Sequence, residues 1–312
     1  MDLEACLPAE MRGSATTITT LSDGFSGAGV YRVEREGRAF VLKIAPATES
    51  IAEWRRKVHL SRLAVEAKLA PPIVHVDEAR RAVVSRCIAG SFSAFYGDPR
   101  TRETAIVRLG EMLRRVHELP RDAGAPWKEP RDLLVRAWSE AESSWAPPAF
   151  VRTAAERMLA EPPPASDRAL VLSHNDVHPS NLVFDGERPL LLDWDAAGVN
   201  EPCYDLAVIA MFLRLDANDC LTMLSAHDGE PVTTIPARFA YDRRLVAVVL
   251  GVGFLSLAQR AGHALPNPEP TLETAPSLLD FYQRLRAGTL SVTSSEGQWW
   301  FGLGLVKESF AL

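Results

Sequence analysis

The sequence predicts an α+β chain in two parts, a small antiparallel sheet carrying one helix and then a larger, mainly helical part. Three observations carry this. Strand-like segments crowd the chain up to Arg86, helical periodicity dominates from Thr101, and two short apolar runs, Ala169–Leu172 and Pro189–Leu192, interrupt the helices. Each of those runs leads directly into carboxylates. A chain of 312 residues suits one large domain or two lobes.

Residues Thr16–Pro46 read as a strand meander. Its first turn holds Gly24, Gly27 and Gly29. The N–H groups of such a turn suit phosphate oxygens, although a hairpin turn favours glycine in any case. A second turn at Glu36-Gly37 leads into Ala39–Ala45, with Lys43 in the middle of the apolar strand. An unpaired buried lysine would cost several kcal/mol, so Lys43 points outward or meets an anion. Glu49–Ala67 has helical spacing in Ile51, Trp54, Val58, Leu60, Leu63 and Ala67. Ile73–Asp77 and Ala82–Arg86 complete five strands.

The helical part opens with Thr104–Leu119, which puts Ile106, Leu109, Met112, Leu113 and Val116 on one face. His117 reads as a packed histidine at its C-terminal end. Asp132–Trp145 and Ala149–Ala160 follow, then an extended connection through Pro162–Pro164. Later helices are expected at Tyr204–Leu215, Asn218–Ala226, Arg238–Ala261 and Leu278–Ala287, with loops at Pro231–Pro236 and Gly262–Pro276. Trp299-Trp300-Phe301 reads as an aromatic staple of the tail, with a ligand wall as the alternative.

The richest stretch is Leu170–Asp205. After its first apolar run stand His174-Asn175-Asp176, and after the second Asp193-Trp194-Asp195. Asn181, a short strand at Leu182–Phe184 and a turn at Asp185-Gly186 lie between. Taken singly, such residues are turn acids and helix caps. Delivered together by two buried strand ends, charged groups are expensive unless they pair or coordinate, which suggests a bound cation.

The spacing His174-x-Asp176-x4-Asn181, with Asp193 twelve residues on, resembles the catalytic loop and metal-binding Asp of protein-kinase-like phosphotransferases. Asn175 in place of the kinase Arg, His178-Pro179 within the loop, and Gly198–Ala207 after it resemble the aminoglycoside phosphotransferase and choline kinase superfamily. The resemblance runs from about Leu21 to Ala210. It implies a protein-kinase-like two-lobe fold, with a nucleotide-binding lobe over 1–88 and a helical lobe with catalytic loop and acceptor site over 89–312. It also implies an ATP-dependent, Mg²⁺-dependent transfer of phosphate to the hydroxyl of a small molecule, with GTP admitted beside ATP. In that scheme Asp176 is the catalytic carboxylate, and Asn181 and Asp193 hold the metal. Lys43 meets the nucleotide phosphates, Ser26 and Gly27 of the Gly-rich turn cover them, and the backbone at Cys87 and Ile88 receives the base. The family helix supplies a Glu for the strand Lys; here Lys57 occupies that place, and Glu53, one turn earlier, is the expected partner of Lys43. Asp195 and Glu201 are candidates for the acceptor or a second metal, with His174, His178 and Asp205 as supporting residues.

The acceptor class stays open between an aminoglycoside or other hydroxylated antibiotic and choline, ethanolamine or thiamine. The net charge of −6 is compatible with a cationic acceptor and with simple solubility, and the absence of a basic tract argues against nucleic acid. Two other readings are a nucleotide-binding pseudokinase without transfer activity, which would be expected to lack one of Lys43, Asp176 or Asp193, and a metal-dependent hydrolase, which leaves Lys43 and the Gly-rich turn unexplained. Cys6, Cys87, Cys203 and Cys220 lie far apart, with no C-x-x-C pair, so reduced thiols and a cytoplasmic setting are expected. The most apolar stretch, Leu245–Ala258, is too short to span a bilayer and reads as a buried helix, so no membrane partner is expected. A monomer or homodimer is expected.

Overall fold

The computed structural model describes residues 2–21, 28–121, 126–127, 129–266 and 268–312. Its elements in chain order are β1 (Thr16–Thr20), β2 (Gly29–Arg35), β3 (Arg38–Ile44), α1 (Ile51–Glu66), β4 (Ile73–Asp77), β5 (Ala82–Arg86), α2 (Phe92–Gly97), α3 (Arg102–His117), α4 (Pro130–Ser144) and α5 (Ala149–Ala160). Then follow β6 (Val171–Ser173), β7 (Leu182–Phe184), β8 (Pro189–Leu191), α6 (Pro202–Leu213), α7 (Ala217–Asp228), α8 (Ala237–Arg260), α9 (Leu278–Arg286) and α10 (Ser295–Glu308). Two compact units emerge: Met1–Pro126 with Leu170–Val199 and Asn218–Val232, and Trp127–Ala169 with Asn200–Ala217 and Thr233–Leu312. The position 88/89, where a lobe division was expected, follows the last of the five strands of the large sheet.

In the first unit the sheet order is β1-β2-β3-β5-β4, and the pairs are antiparallel. The central strand β3 pairs with β2 on one side and β5 on the other, so Lys43 faces Val30 and Val83 in register. Alternation along β3 then separates two chemistries. Leu42 and Ile44 point to one face, where they join Val33, Ala82 and Val84 in a core closed by Cys6, Leu7 and Met11 from the chain's first residues. Val41 and Lys43 point to the other face, into a cavity.

Across that cavity lies α1. Ser50 caps it, its hydroxyl accepting from the Glu53 N–H at 3.2 Å. Trp54 and Val58 are buried, and with Lys57, Ser61 and Val65 they form the cavity wall at helical spacing. β7 and β8 make a two-stranded hairpin tied in at both edges. The Phe184 N–H donates to Gly90 O at 3.0 Å, and the Leu191 N–H donates to Leu69 O at 2.8 Å.

In the second unit α8 is the axis, buried along most of its length. It shares a core with α4, α5 and α10 that includes Trp138, Met158, Tyr241, Val252, Trp299 and Leu303. Gly251 and Gly302 let α8 and α10 approach closely; a Cβ on Gly302 would stand 2.9 Å from Gly251 O. Trp299 is thus part of a core, as the staple reading expected, within a helix the sequence reading did not assign. Among the described residues no helix is long and apolar enough to cross a membrane, and all four cysteines are free.

Gly90 shows how tightly the hairpin is seated. A Cβ there would stand 1.9 Å from the backbone oxygen of Phe184, which cannot yield without moving β7. Gly90→Ala is therefore expected to lose about 1–3 kcal/mol of stability through overpacking, read as a lower urea midpoint.

Candidate active site

The ends of the apolar hairpin and of β6 are tied together by one backbone bond and one histidine ring. The Leu192 N–H donates to Asn181 O at 2.8 Å, and the buried His174 ring places Nε2 2.9 Å from Leu192 O. The His174 ring also packs edge-on against Trp194, with centroids 4.9 Å apart. Asn175 lies in the left-handed region at φ 64°. From there its side-chain amide donates to Ser173 O, Ala196 O and Gly198 O at 3.2–3.4 Å, joining the two acid-bearing loops. His174 thus ties the loop after β6 to the end of the hairpin. Asn175 does so as well; its role was missed, although an Asn at a tight loop position is a recognised signal for a left-handed residue.

Asp193 is also left-handed, at φ 57° and ψ 72°, and it caps the short helical turn Trp194–Ala196, its carboxylate accepting from the Asp195 N–H at 3.4 Å. This conformation is uncommon for a residue with a Cβ and is held by the surrounding bonds. It directs the carboxylate at β3: Lys43 Nζ donates to Asp193 Oδ1 at 2.8 Å and reaches Asp195 Oδ2 at 2.9 Å. Burial works against the Lys43 charge, but Asp195 and Asp193 outweigh it and lift the ammonium above the ordinary lysine range. Burial likewise opposes the Asp193 charge, and Lys43 overcomes it, holding that carboxyl below the usual range. Lys43 thus meets anions rather than solvent.

The Lys43 partner differs from the expectation. Glu53 is exposed in the first turn of α1, and the pair expected between it and Lys43 is not formed. The physical reason is that Asp193 and Asp195 already stand within bonding distance of the ammonium, while Glu53 projects to solvent. Lys57 instead pairs with the buried Glu49 at 2.5 Å and lies 3.6 Å from Asp195 Oδ2. Burial lowers the Lys57 affinity for its proton, and Glu49 and Asp195 more than restore it. Sequence reasoning missed Glu49, which directly precedes the capping Ser50.

On the facing loop Asp176 is about half exposed. Asn181 Nδ2 donates to Asp176 O and to Asp176 Oδ2, both at 3.0 Å, and lies 3.0 Å from His178 Nε2. His178 Nε2 is 3.6 Å from Asp176 Oδ2. Lys43, Lys57, Glu49, Asn181, Asp193 and Asp195 all line one cavity of about 390 Å³, whose remaining wall is largely apolar.

The other expected residues fall elsewhere. Ser26 and Gly27 lie outside the described residues. The cavity wall runs along β5 as far as Ser85 and Arg86, ahead of Cys87 and Ile88, and the Cys87 N–H donates to Ala39 O at 3.1 Å. In the second unit Glu201 is buried as the cap of α6, accepting from the Cys203 N–H and from Ser166 Oγ, each at 2.7 Å. Asp205 is fully buried in the first turn of α6.

With this geometry in hand, residues 17–240 match the phosphotransferase enzyme family. The chain belongs to that family. A thiamine kinase of Shigella boydii is 28% identical over 200 residues, covering 62% of this chain and 65% of the relative, so the chain spans about two thirds of the length of the curated relatives it matches. A choline/ethanolamine kinase family protein of Mesorhizobium loti shares the fold at 21% identity, with a TM-score of 0.62 over 98% of this chain and 97% of that one. A macrolide 2′-phosphotransferase of Brachybacterium faecium is similar at 19% identity, with a TM-score of 0.56 over 80% of this chain and 88% of that one. The five-stranded sheet with its helical remainder is the protein-kinase-like fold of these neighbours.

The Asn175 clasp is testable through stability. Asn175→Ala is expected to lose about 2 kcal/mol, combining lost hydrogen bonds with a left-handed backbone that alanine disfavours. Asn175→Gly is expected to recover about 1 kcal/mol of this, because only the backbone part is relieved. Guanidinium unfolding of the three proteins measures both.

Proposed function

We propose that this phosphotransferase-family chain moves the γ-phosphoryl group of ATP, with GTP as a second donor, to a hydroxyl of a small cationic molecule. The observation that carries the reading is the approach of Lys43 Nζ to Asp193 and Asp195 in a cavity that Asn181 also lines. A strand lysine and a loop carboxylate so arranged meet the needs of phosphoryl transfer, where positioning and charge neutralisation dominate.

The donor set fits a hard cation. Asn181 and Asp193 offer amide and carboxylate oxygens, which suit Mg²⁺ and leave places for water. When bound, Mg²⁺ supplies charge neutralisation at the phosphate oxygens. The chain's own residues do the rest. Lys43 offers an ammonium to the phosphates, and Asp176, accessible and oriented by the Asn181 amide, accepts the hydroxyl proton or orients that hydroxyl. The buried His174 holds the loop that carries Asp176. Ser26, Gly27, Cys87 and Ile88 belong to the nucleotide-binding part of this proposal.

Support for a cationic acceptor comes from the net charge of −6 and from the similarity to a thiamine kinase, which makes thiamine the first acceptor to test. Choline, ethanolamine, aminoglycosides and macrolides complete the screen. The readout is ADP formation with and without each compound.

Asp176→Asn is expected to bind MgATP as the parent protein does and to transfer phosphate about two to four orders of magnitude more slowly. Calorimetric titration and a coupled ADP assay check the two halves, and near-normal transfer would assign the hydroxyl to another residue. Asp193→Ala is expected to abolish turnover and Mg²⁺-dependent nucleotide binding with unchanged circular dichroism. Unchanged turnover in that variant would sink the kinase reading.

A further inference from the structure

Lys57 stands at the α1 position where an acid was expected, and it faces the cavity between Glu49 and Asp195. Lys43 is shared by two carboxylates at nearly equal distance, 2.8 and 2.9 Å. The cavity wall therefore holds two ammonium groups and the Arg86 guanidinium against three carboxylates, Glu49, Asp193 and Asp195. A glutamate in place of Lys57 would add a fourth carboxylate and remove one of the ammonium groups, making the wall more negative.

We propose that Lys57 is a positioning residue, the counter-cation that holds Asp195 when Lys43 turns to the phosphates of a nucleotide. This rests on the kinase reading above. Lys43 cannot serve two carboxylates and a polyphosphate at once, because each approach of one anion raises the energy of the others. Asp193 has its own outlet in the proposed metal site. Asp195 would otherwise keep Lys43 engaged, and the nearest second cation is Lys57 at 3.6 Å, just outside hydrogen-bond distance. Glu49 keeps that cation in place. It is buried, directly precedes the cap of α1, and has its backbone carbonyl bonded by Arg81, so it moves little when the cavity fills. The exchange needs only a side-chain shift of Asp195 from one ammonium to the other. The arrangement differs from a lysine–glutamate pair on the helix: the helix contributes the cation, and the loop after β8 contributes the acid.

The test is a double-mutant cycle on nucleotide affinity, which reads binding without turnover. Titration calorimetry with MgATP compares the parent protein, Lys57→Gln, Asp195→Asn and Lys57→Gln/Asp195→Asn, with Lys57→Arg as the conservative variant. Lys57→Gln is expected to weaken binding about tenfold, because Asp195 then retains Lys43. In the Asp195→Asn background the same change is expected to have little effect, since no carboxylate holds Lys43 back. Lys57→Arg is expected to stay within about threefold of the parent, equivalent to under 1 kcal/mol. If Lys57→Gln does not fold, Lys57→Gln/Glu49→Gln, which leaves no unpaired buried acid, replaces it in the cycle. Parent-like affinity in Lys57→Gln overturns the proposal. Equal weakening with and without Asp195→Asn also overturns it and makes Lys57 a direct phosphate contact. A parent protein that binds no ATP overturns the kinase reading together with it, whereas normal ATP binding without coupling overturns the role of Lys57 alone.

Discussion

One ammonium group, Lys43 Nζ, joins segments 150 residues apart in sequence. On one side is the middle strand of a sheet whose opposite face is a closed apolar core. On the other is a loop whose two carboxylates are presented by a left-handed Asp193. Neither half is comfortable without the other. A lysine inside an apolar strand and two carboxylates at the end of a buried strand are each costly alone, and become acceptable only when they meet. The His174, Asn175 and Asn181 bonds serve this meeting by fixing the two loops against each other before any ligand arrives. The site is preorganised in this sense, its polar groups bonded to one another.

The parts legible in the sequence were those with local signatures. Strand alternation and helical spacing located the five strands of the sheet and most helices, and of the residues singled out Lys43, Asn181 and Asp193 line one cavity. The misplaced residue, Glu53, was chosen by helical spacing alone, which gives a residue's face but not what stands opposite. Asp193 and Asp195, contributed from 140 or more residues away, were nearer to the ammonium. Glu49 was invisible for the complementary reason. It stands at the edge of the α1 periodicity, directly before the capping Ser50, where spacing does not say whether a side chain is buried. The C-terminal helix was read only as an aromatic cluster because Gly297, Gly302 and Gly304 lower its helix propensity. Packing requires these small residues at three different places: Gly302 meets Gly251 on α8, Gly297 meets the Ser291 backbone, and Gly304 meets Leu278.

The neighbours of this fold act on molecules as different as choline or ethanolamine and macrolides, by their names. A common fold is compatible with that breadth, since fold does not select the acceptor. Selection must come from side chains that meet the acceptor, and the capping role of Glu201 narrows the field. A carboxylate already bonded to the Cys203 N–H and the Ser166 hydroxyl is a poor candidate for a mobile ligand contact.

The sheet's closed face depends on residues that precede it. Cys6, Leu7 and Met11 cover Val33, Leu42, Ile44, Ala82 and Val84, and the segment reaches β1 through Gly13, a left-handed turn with open space around it. A protease that cut at this turn would detach three core side chains, those of Cys6, Leu7 and Met11, from the strand they precede. The uncovered strip of valine, leucine and isoleucine would then lie directly behind Lys43, on the reverse of the same strand. Cleavage at a turn remote from the cavity would therefore convert the lysine-bearing sheet into an adhesive surface, and aggregation would follow before any residue of the site was touched.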